Sequence, residues 1–300
     1  MRQMTLRQYK ERMLRVLVHI QSHLDEELAL EDLAGIACFS MYHFHRIFRG
    51  MIGESVKEHI RRLRLERAAS SLKHSDSPIV TIALEAGYES HEAFTRAFKA
   101  MTGESPSQFR LREGSWSRPD APSGLHYREG KKAAELHSVQ SGGVSMEVKI
   151  ETLKPMRVAF VRHIGPYDQC GTAWDRLTGE LGRRGILGAD TRFIGLCYDD
   201  PDVTPPEKIR YDACVTVGED FEPEDDIGVQ TIAGGKYAVT THFGPYSRIG
   251  ETYSKLLGEW LPRSRREVRS IPCLEVYLTD PEGTDPEDYL TDIYAPLEPS

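Results

Sequence analysis

The chain has 300 residues, 38 Lys and Arg against 46 Asp and Glu for a formal net charge of -8, and 39% hydrophobic residues. That length suits two ordinary domains, each with its own core. No apolar run reaches the length of a membrane span and the first residues lack an apolar signal core, so a cytoplasmic protein is expected. Its five cysteines are odd in number, widely spread and never spaced C-x-x-C, which argues against a disulfide framework and a zinc site. Neither a cofactor nor a metal is expected.

The charge is unevenly divided. Met1–Arg112 carries 17 basic against 14 acidic residues, and the remainder carries 21 against 32. The acidity therefore belongs to the second part, while the run KEHIRRLRLER at Lys57–Arg67 is plainly basic.

In chain order, Thr5–Leu24 shows apolar residues at helical intervals and predicts one leading helix. Ser55 and Glu58 form a capping box that opens a long helix running to about Lys73. In Pro78–Arg110, residues Ile79, Ile82, Ala83 and Ala86 give a helical apolar face, and Gly87 supplies a turn. Ser90 is an N-cap for the next helix, in which Phe94 and Phe98 lie on one face with Ala93, Ala97 and Met101. His91, Glu92, Thr95, Arg96 and Lys99 lie on the other. Gly103 closes that helix, and Ser105-Pro106-Ser107-Gln108 reads as a further capping box.

This stretch has a twin about 50 residues earlier. Ser40 matches Ser90, Phe44 matches Phe94, Arg46 matches Arg96 and Phe48 matches Phe98, while Met51-x-Gly53-Glu54-Ser55 matches Met101-x-Gly103-Glu104-Ser105. The matched arginines are expected on the exposed face, where packing alone asks for none. Two recognition helices held apart by one long helix would reach successive major grooves, about 34 Å apart, and read an asymmetric site as a monomer. A metal site at His43 and His45 is disfavoured, because residues two apart on a helix diverge.

Met1–Arg112 resembles the DNA-binding domain of the AraC family, two helix-turn-helix units joined by a linker helix. The resemblance implies double-stranded DNA as partner. It puts base contacts at Tyr42, His45 and Arg46 in the first recognition helix, and at His91, Glu92, Thr95 and Arg96 in the second. Arginine suits guanine O6 and N7, and glutamate accepts from cytosine N4. His45 departs from the pattern, since Gln is common there.

Residues 113–145, rich in Ser, Gly, Pro and charge, read as a tether, with Trp116 and Leu125 as local docking points. From Met146 short β-branched strands alternate with single helices. His163-Ile164-Gly165-Pro166-Tyr167 returns as His242-Phe243-Gly244-Pro245-Tyr246, Trp174 returns as Tyr253 and Leu177 as Leu256, an offset of about 79. The fold class expected is therefore multidomain: an all-α double helix-turn-helix domain over 1–112, and an α+β domain over 146–300 made of two pseudo-symmetric β-α-β-β repeats. His163 and His242 are expected to structure the turns.

The second part resembles the GyrI-like effector-binding domain, carried by the two H-x-G-P-Y segments and by Leu274-Glu275-Val276-Tyr277. The resemblance implies a small-molecule effector facing a buried glutamate, here Glu275. Alternation sets Leu274, Val276 and Leu278 on one face and Glu275 with Tyr277 on the other. With the first set packed on the helices, Glu275 would look into a cleft between the repeats. A carboxylate on an aromatic wall suits a lipophilic cation. Tyr167, Trp174, Tyr198, Tyr246, Tyr277 and Tyr294 are the candidate walls. RNA polymerase is a further candidate partner. Two alternatives stand beside this reading: a hydrolase using Glu275 as general base, and a protein-binding module.

Overall fold

Local chemistry sets the helix ends in the first third of the chain. The computed structural model describes residues 5–114, 116–118, 120–130, 136, 146–201, 204–224 and 226–299. The helices are α1 Leu6–Ser22, α2 Leu30–Ala37, α3 Met41–Ile52, α4 Val56–His74, α5 Ile79–Glu85, α6 His91–Thr102 and α7 Pro106–Leu111. The capping boxes at Ser55/Glu58 and Ser105/Gln108 both form, and the Ser90 hydroxyl accepts from the Ala93 amide. Gly87 turns the chain at φ +79, a conformation that disfavours any side chain, and a Cβ there would meet Arg64.

The remainder is a single eight-stranded antiparallel sheet with helices. Its elements are β1 Lys149–Leu153, β2 Met156–Ile164, α8 Gly171–Arg183, β3 Phe193–Cys197, β4 Arg210–Thr216, β5 Gly228–Ile232, β6 Gly235–Phe243, α9 Ile249–Tyr253, β7 Cys273–Tyr277 and β8 Leu290–Pro296. The strand order is β1-β6-β8-β7-β3-β4-β2-β5. Helix α9 continues through a π-helical stretch, Ser254–Trp260. One strand was not expected: β5, GVQTI, is too short and too polar for alternation to reveal it, and only pairing with β2 makes it a strand. Each half of this segment is thus β-β-α-β-β in order, with one more strand than the repeat expected from the sequence.

Contacts divide the chain into two compact units. One holds the described residues of Met1–Leu6, Phe39–Gly50 and Gly142–Ser300, and the other those of Arg7–Cys38 and Met51–Ser141. Most of α3 therefore packs within the same unit as the sheet.

In the helical unit, Leu65, Leu72, Ile82, Phe94, Phe98 and Phe109 form one core cluster. Trp116 closes it, set edge-on to Phe109 at 5.5 Å. The expected tether is partly docked: Leu125 O accepts from Arg62 Nη1 at 2.8 Å, and the Tyr127 amide and His126 bond Glu66. Residues 115, 119, 131–135 and 137–145 of that expected tether lie outside the described residues.

The sheet has an apolar cluster on each face. Ala159, Val161, Tyr211, Ala213 and Val215 pack with Ala173, Leu177 and Leu181 of α8 on one. Val158, Ile194, Leu196, Tyr237, Leu274, Val276 and Tyr294 gather on the other. His163 and His242 each bond the carbonyl of the following proline, Pro166 at 3.0 Å and Pro245 at 3.2 Å. Both shape their Gly-Pro turns, as expected.

Candidate functional site

Strands β3 and β7 lie side by side in the sheet, with Gly195 opposite Glu275, Cys197 opposite Cys273 and Phe193 opposite Tyr277. Side chains directly opposite on antiparallel strands point the same way. Cys197 belongs to the cluster that packs on α8, so Glu275 stands on the helix-covered face. This reverses the expected orientation: Leu274 and Val276 pack in the cluster on the opposite face. Both faces of a central strand are buried here, so alternation alone could not say which one carries the helices.

Glu275 is 7% exposed. Its Oε1 accepts from the Tyr253 hydroxyl at 3.0 Å and its Oε2 from the Tyr277 hydroxyl at 2.9 Å. Tyr277 in turn sits 2.8 Å from the Tyr211 hydroxyl, which accepts from Trp174 Nε1 at 3.1 Å. Since Tyr277 gives its proton to Glu275, the relay runs Trp174 to Tyr211 to Tyr277 to the carboxylate. Burial, with Glu275 adding to it, pushes the Tyr253 and Tyr277 phenols far above their ordinary value, so both remain donors. Among the described residues, no basic side chain forms an ion pair with Glu275. The space for the two hydroxyls exists because residue 195 is glycine. A Cβ there would stand 2.6 Å from the Tyr277 hydroxyl and 2.7 Å from that of Tyr211.

Four expected wall residues meet at this place. Trp174 lies edge-on to Tyr277 at 5.7 Å, Tyr246 at 5.4 Å, and Tyr167 lies edge-on to Tyr211 at 5.8 Å. Tyr246 is 39% exposed and stands at the rim. Tyr198 and Tyr294 do not belong here, which corrects the sequence reading. Tyr198 packs against the opposite-face cluster and donates to the buried Asp212 at 2.9 Å; Tyr294 is a member of that cluster and reaches Glu151. Two participants were missed. Tyr253 stands at the repeat position of Trp174, so the internal duplication carried the signal. Tyr211 has Thr291 at its counterpart 80 positions on, and nothing in the sequence singled it out.

The α3 segment of the same unit packs close by. The Arg46 guanidinium lies 3.8 Å from the centre of the Tyr253 ring, and its Nε is 3.8 Å from Asp200. His45 Nδ1 is 2.9 Å from the same carboxylate. His43 Nε2 lies 3.0 Å from both the Arg269 and the Ile271 carbonyls. The expectation that Arg46 is exposed is not met: Arg46 is 8% and His45 1% exposed, while Tyr42 is half-buried. Burial, followed by the charge of Arg46, lowers His43 from 6.5 to about 4. Its folded value lies below the unfolded one, so neutral His43 supports the packing of α3 above about pH 6.5, and that support is lost as pH falls towards 4. A weakening on the order of 3 kcal/mol across that window is expected, since each unit is worth about 1.4 kcal/mol. Hydrogen exchange of the α3 amides at pH 7 and pH 4.5 measures it, and His43→Gln should flatten the difference.

The helical unit presents a different surface. Helix α6 buries Phe94 and Phe98 and leaves His91, Glu92 and Arg96 exposed, with Thr95 half-buried. Its support, α4, carries a buried ion network. Arg62 donates to Glu54 and Glu66, while His59 bonds Glu54 at 2.8 Å and His126 bonds Glu66 at 2.9 Å. Burial alone would raise the Glu54 carboxyl, but the hydrogen bonds from His59 and Arg62 outweigh it and hold it at about 2.

Residues 146–298 match the model of the GyrI-like small molecule binding domain, just over half of the chain. The chain belongs to the GyrI-like family. A helix-turn-helix domain model matches residues 33–112 ahead of it, the AraC-type arrangement. Over 102 residues the GyrI-like chain is 42% identical to the uncharacterized HTH-type transcriptional regulator YbfP of Bacillus subtilis, covering 34% of this chain and 35% of that one. It is 35% identical to the transcriptional regulator Rob of Salmonella typhimurium, with the same two shares. It is 37% identical over 109 residues to the probable transcriptional regulator YgiV of Escherichia coli, covering 36% of this chain and 68% of that one. The match thus spans about a third of the length of YbfP and of Rob.

Proposed function

We propose that this chain is a sequence-specific, DNA-binding transcription regulator whose sheet domain senses a small hydrophobic cation. The observation that carries the reading is Glu275, a carboxylate 7% exposed, held by two phenols without a basic partner among the described residues. A buried carboxylate in aromatic surroundings gains most from a ligand that brings positive charge and apolar area together. The site consists of Glu275 with Tyr167, Trp174, Tyr211, Tyr246, Tyr253 and Tyr277.

The DNA-reading part is residues 1–112 and the sensing part 146–300. Contacts to bases come from His91, Glu92, Thr95 and Arg96 of α6, and from Tyr42, His45 and Arg46 of α3 when that helix is available. The match of residues 33–112 to a helix-turn-helix domain model supports this. The protein reads an asymmetric site as a monomer in the cytoplasm, and meets RNA polymerase there. Among the described residues, no helix is long and apolar enough to cross a membrane. Duplication of one β-β-α-β-β half accounts for the sheet: exchanging β1–β4 with β5–β8 turns the strand order into its own reverse. Both Glu275 oxygens accept from phenols that stay protonated, which favours binding over general-base hydrolysis.

Genome-wide recovery of bound DNA, with and without added lipophilic cations, tests the regulator as a whole. Random recovery in both conditions would refute it. On the recovered site, Arg96→Ala should cost about 1–3 kcal/mol and relax the preference at one base pair. An equal loss on random duplex would make Arg96 a phosphate contact instead.

A further inference from the structure

An arginine of the protein's own stands beside the glutamate site. Within the sheet-containing unit, Arg46 of α3 stacks on Tyr253, the ring whose hydroxyl holds Glu275 Oε1. The Arg46 side chain also approaches the Cys273 thiol, next but one to Glu275 on β7. A guanidinium over an aromatic face, one hydrogen bond away from a buried carboxylate, reproduces the chemistry expected of the cationic effector.

A second observation shows that the protein is shaped for this packing. Gly50 of α3 and Gly258 of the π-helical stretch touch backbone to backbone. A Cβ on Gly50 would stand 2.6 Å from Gly258 Cα, and one on Gly258 would stand 2.2 Å from Gly50 Cα. Both residues keep negative φ, so neither is a glycine for its own backbone's sake; the close approach alone requires them. His43, bonded to the Arg269 and Ile271 carbonyls, adds a third anchor.

We propose that α3 is an internal competitor for the glutamate site: with Arg46 on Tyr253, the base-reading side chains of α3 are sequestered, and a cationic effector at Glu275 displaces them. This rests on the reading of Glu275 as a cation site. Packed as it is, α3 hides Arg46 and His45 from DNA, and Glu275 offers an incoming ligand little open surface. Ligand and packed α3 exclude one another, so the same effector that fills the site frees the first recognition helix. By linkage, DNA held by α3 must tighten effector binding by the same factor.

The test is a tryptophan-fluorescence titration of the full chain with methyltriphenylphosphonium, and with neutral triphenylphosphine oxide as control. It compares the natural protein with Arg46→Ala and Gly258→Ala, and follows hydrogen exchange of residues 41–50 in parallel. Both variants should bind the cation about 5- to 150-fold more tightly, the range of a typical coupling between sites. Gly258→Ala removes no side chain that touches Glu275, so a gain there together with faster exchange of residues 41–50 reports the displacement. Added cation should also speed exchange in residues 41–50 of the natural protein. Equal affinity in all three proteins with unchanged exchange overturns the competition and leaves the cation site standing. Failure of all three to bind the cation overturns the cation site and the competition with it.

Discussion

Glu275→Gln is expected to weaken binding of a lipophilic cation by about 2–3 kcal/mol, roughly 30- to 150-fold, while the protein stays folded. The amide keeps one acceptor for Tyr253 and loses the charge. The Tyr277 hydroxyl, which donates to Oε2 at 2.9 Å, can turn and accept from the new amide while donating towards Tyr211. The Tyr211 hydroxyl proton then has no acceptor in the relay, at a cost of about 1 kcal/mol. Binding and stability thus separate: titration shows a large loss and thermal unfolding a small one. A cation affinity unchanged by the substitution would remove Glu275 from the site, and a preference for anions would reverse its chemistry.

The largest effect on stability is expected at Arg62. Its side chain bridges Glu54 and Glu66, residues only 9% and 3% exposed, and also donates to the Leu125 carbonyl. Arg62→Leu keeps the apolar stem and strands two buried carboxylates, a loss of about 3–5 kcal/mol measurable by denaturant unfolding of the full chain. Adding Glu54→Gln and Glu66→Gln should recover a large part of it, because the penalty lies in the uncompensated charges. A single-variant loss below about 1 kcal/mol would mean that His59 and His126 satisfy the carboxylates by themselves. The same substitution should weaken DNA binding only through unfolding, since Arg62 faces inward.

Much of the helical part is legible in the sequence, for a local reason. Caps such as Ser55 with Glu58, Ser90, and Ser105 with Gln108 are satisfied within three residues of where they stand, so sequence spacing is enough to find them. The internal repeats were equally local, being likenesses between two stretches of one chain. They located α6 and its exposed Arg96, the turn histidines and Trp174, whereas Glu275 was singled out by the resemblance of Leu274-Glu275-Val276-Tyr277 to the GyrI-like domain. Strand β5 escaped because its identity depends on a partner, β2, whose paired residues lie some 70 positions away.

The sequence alone determined that a helix with one polar face follows a tight turn, and that a glutamate shares its strand face with tyrosine. Those properties follow from neighbours along the chain and from fixed periodicities. Only the tertiary structure decided which sheet face carries the helices, because β7 is buried on both sides and alternation is symmetric there. It also decided which tyrosines converge: Tyr253 of α9 bonds Glu275 and Tyr211 joins it through Tyr277, whereas Tyr198 and Tyr294 go to the other face. Above all it placed Arg46 on Tyr253. Arg46 and Arg96 are twins in sequence, yet one is packed within the sheet-containing unit and the other faces solvent. That difference comes from contacts more than 200 positions apart, among them the approach of Gly50 to Gly258, and no local pattern encodes it.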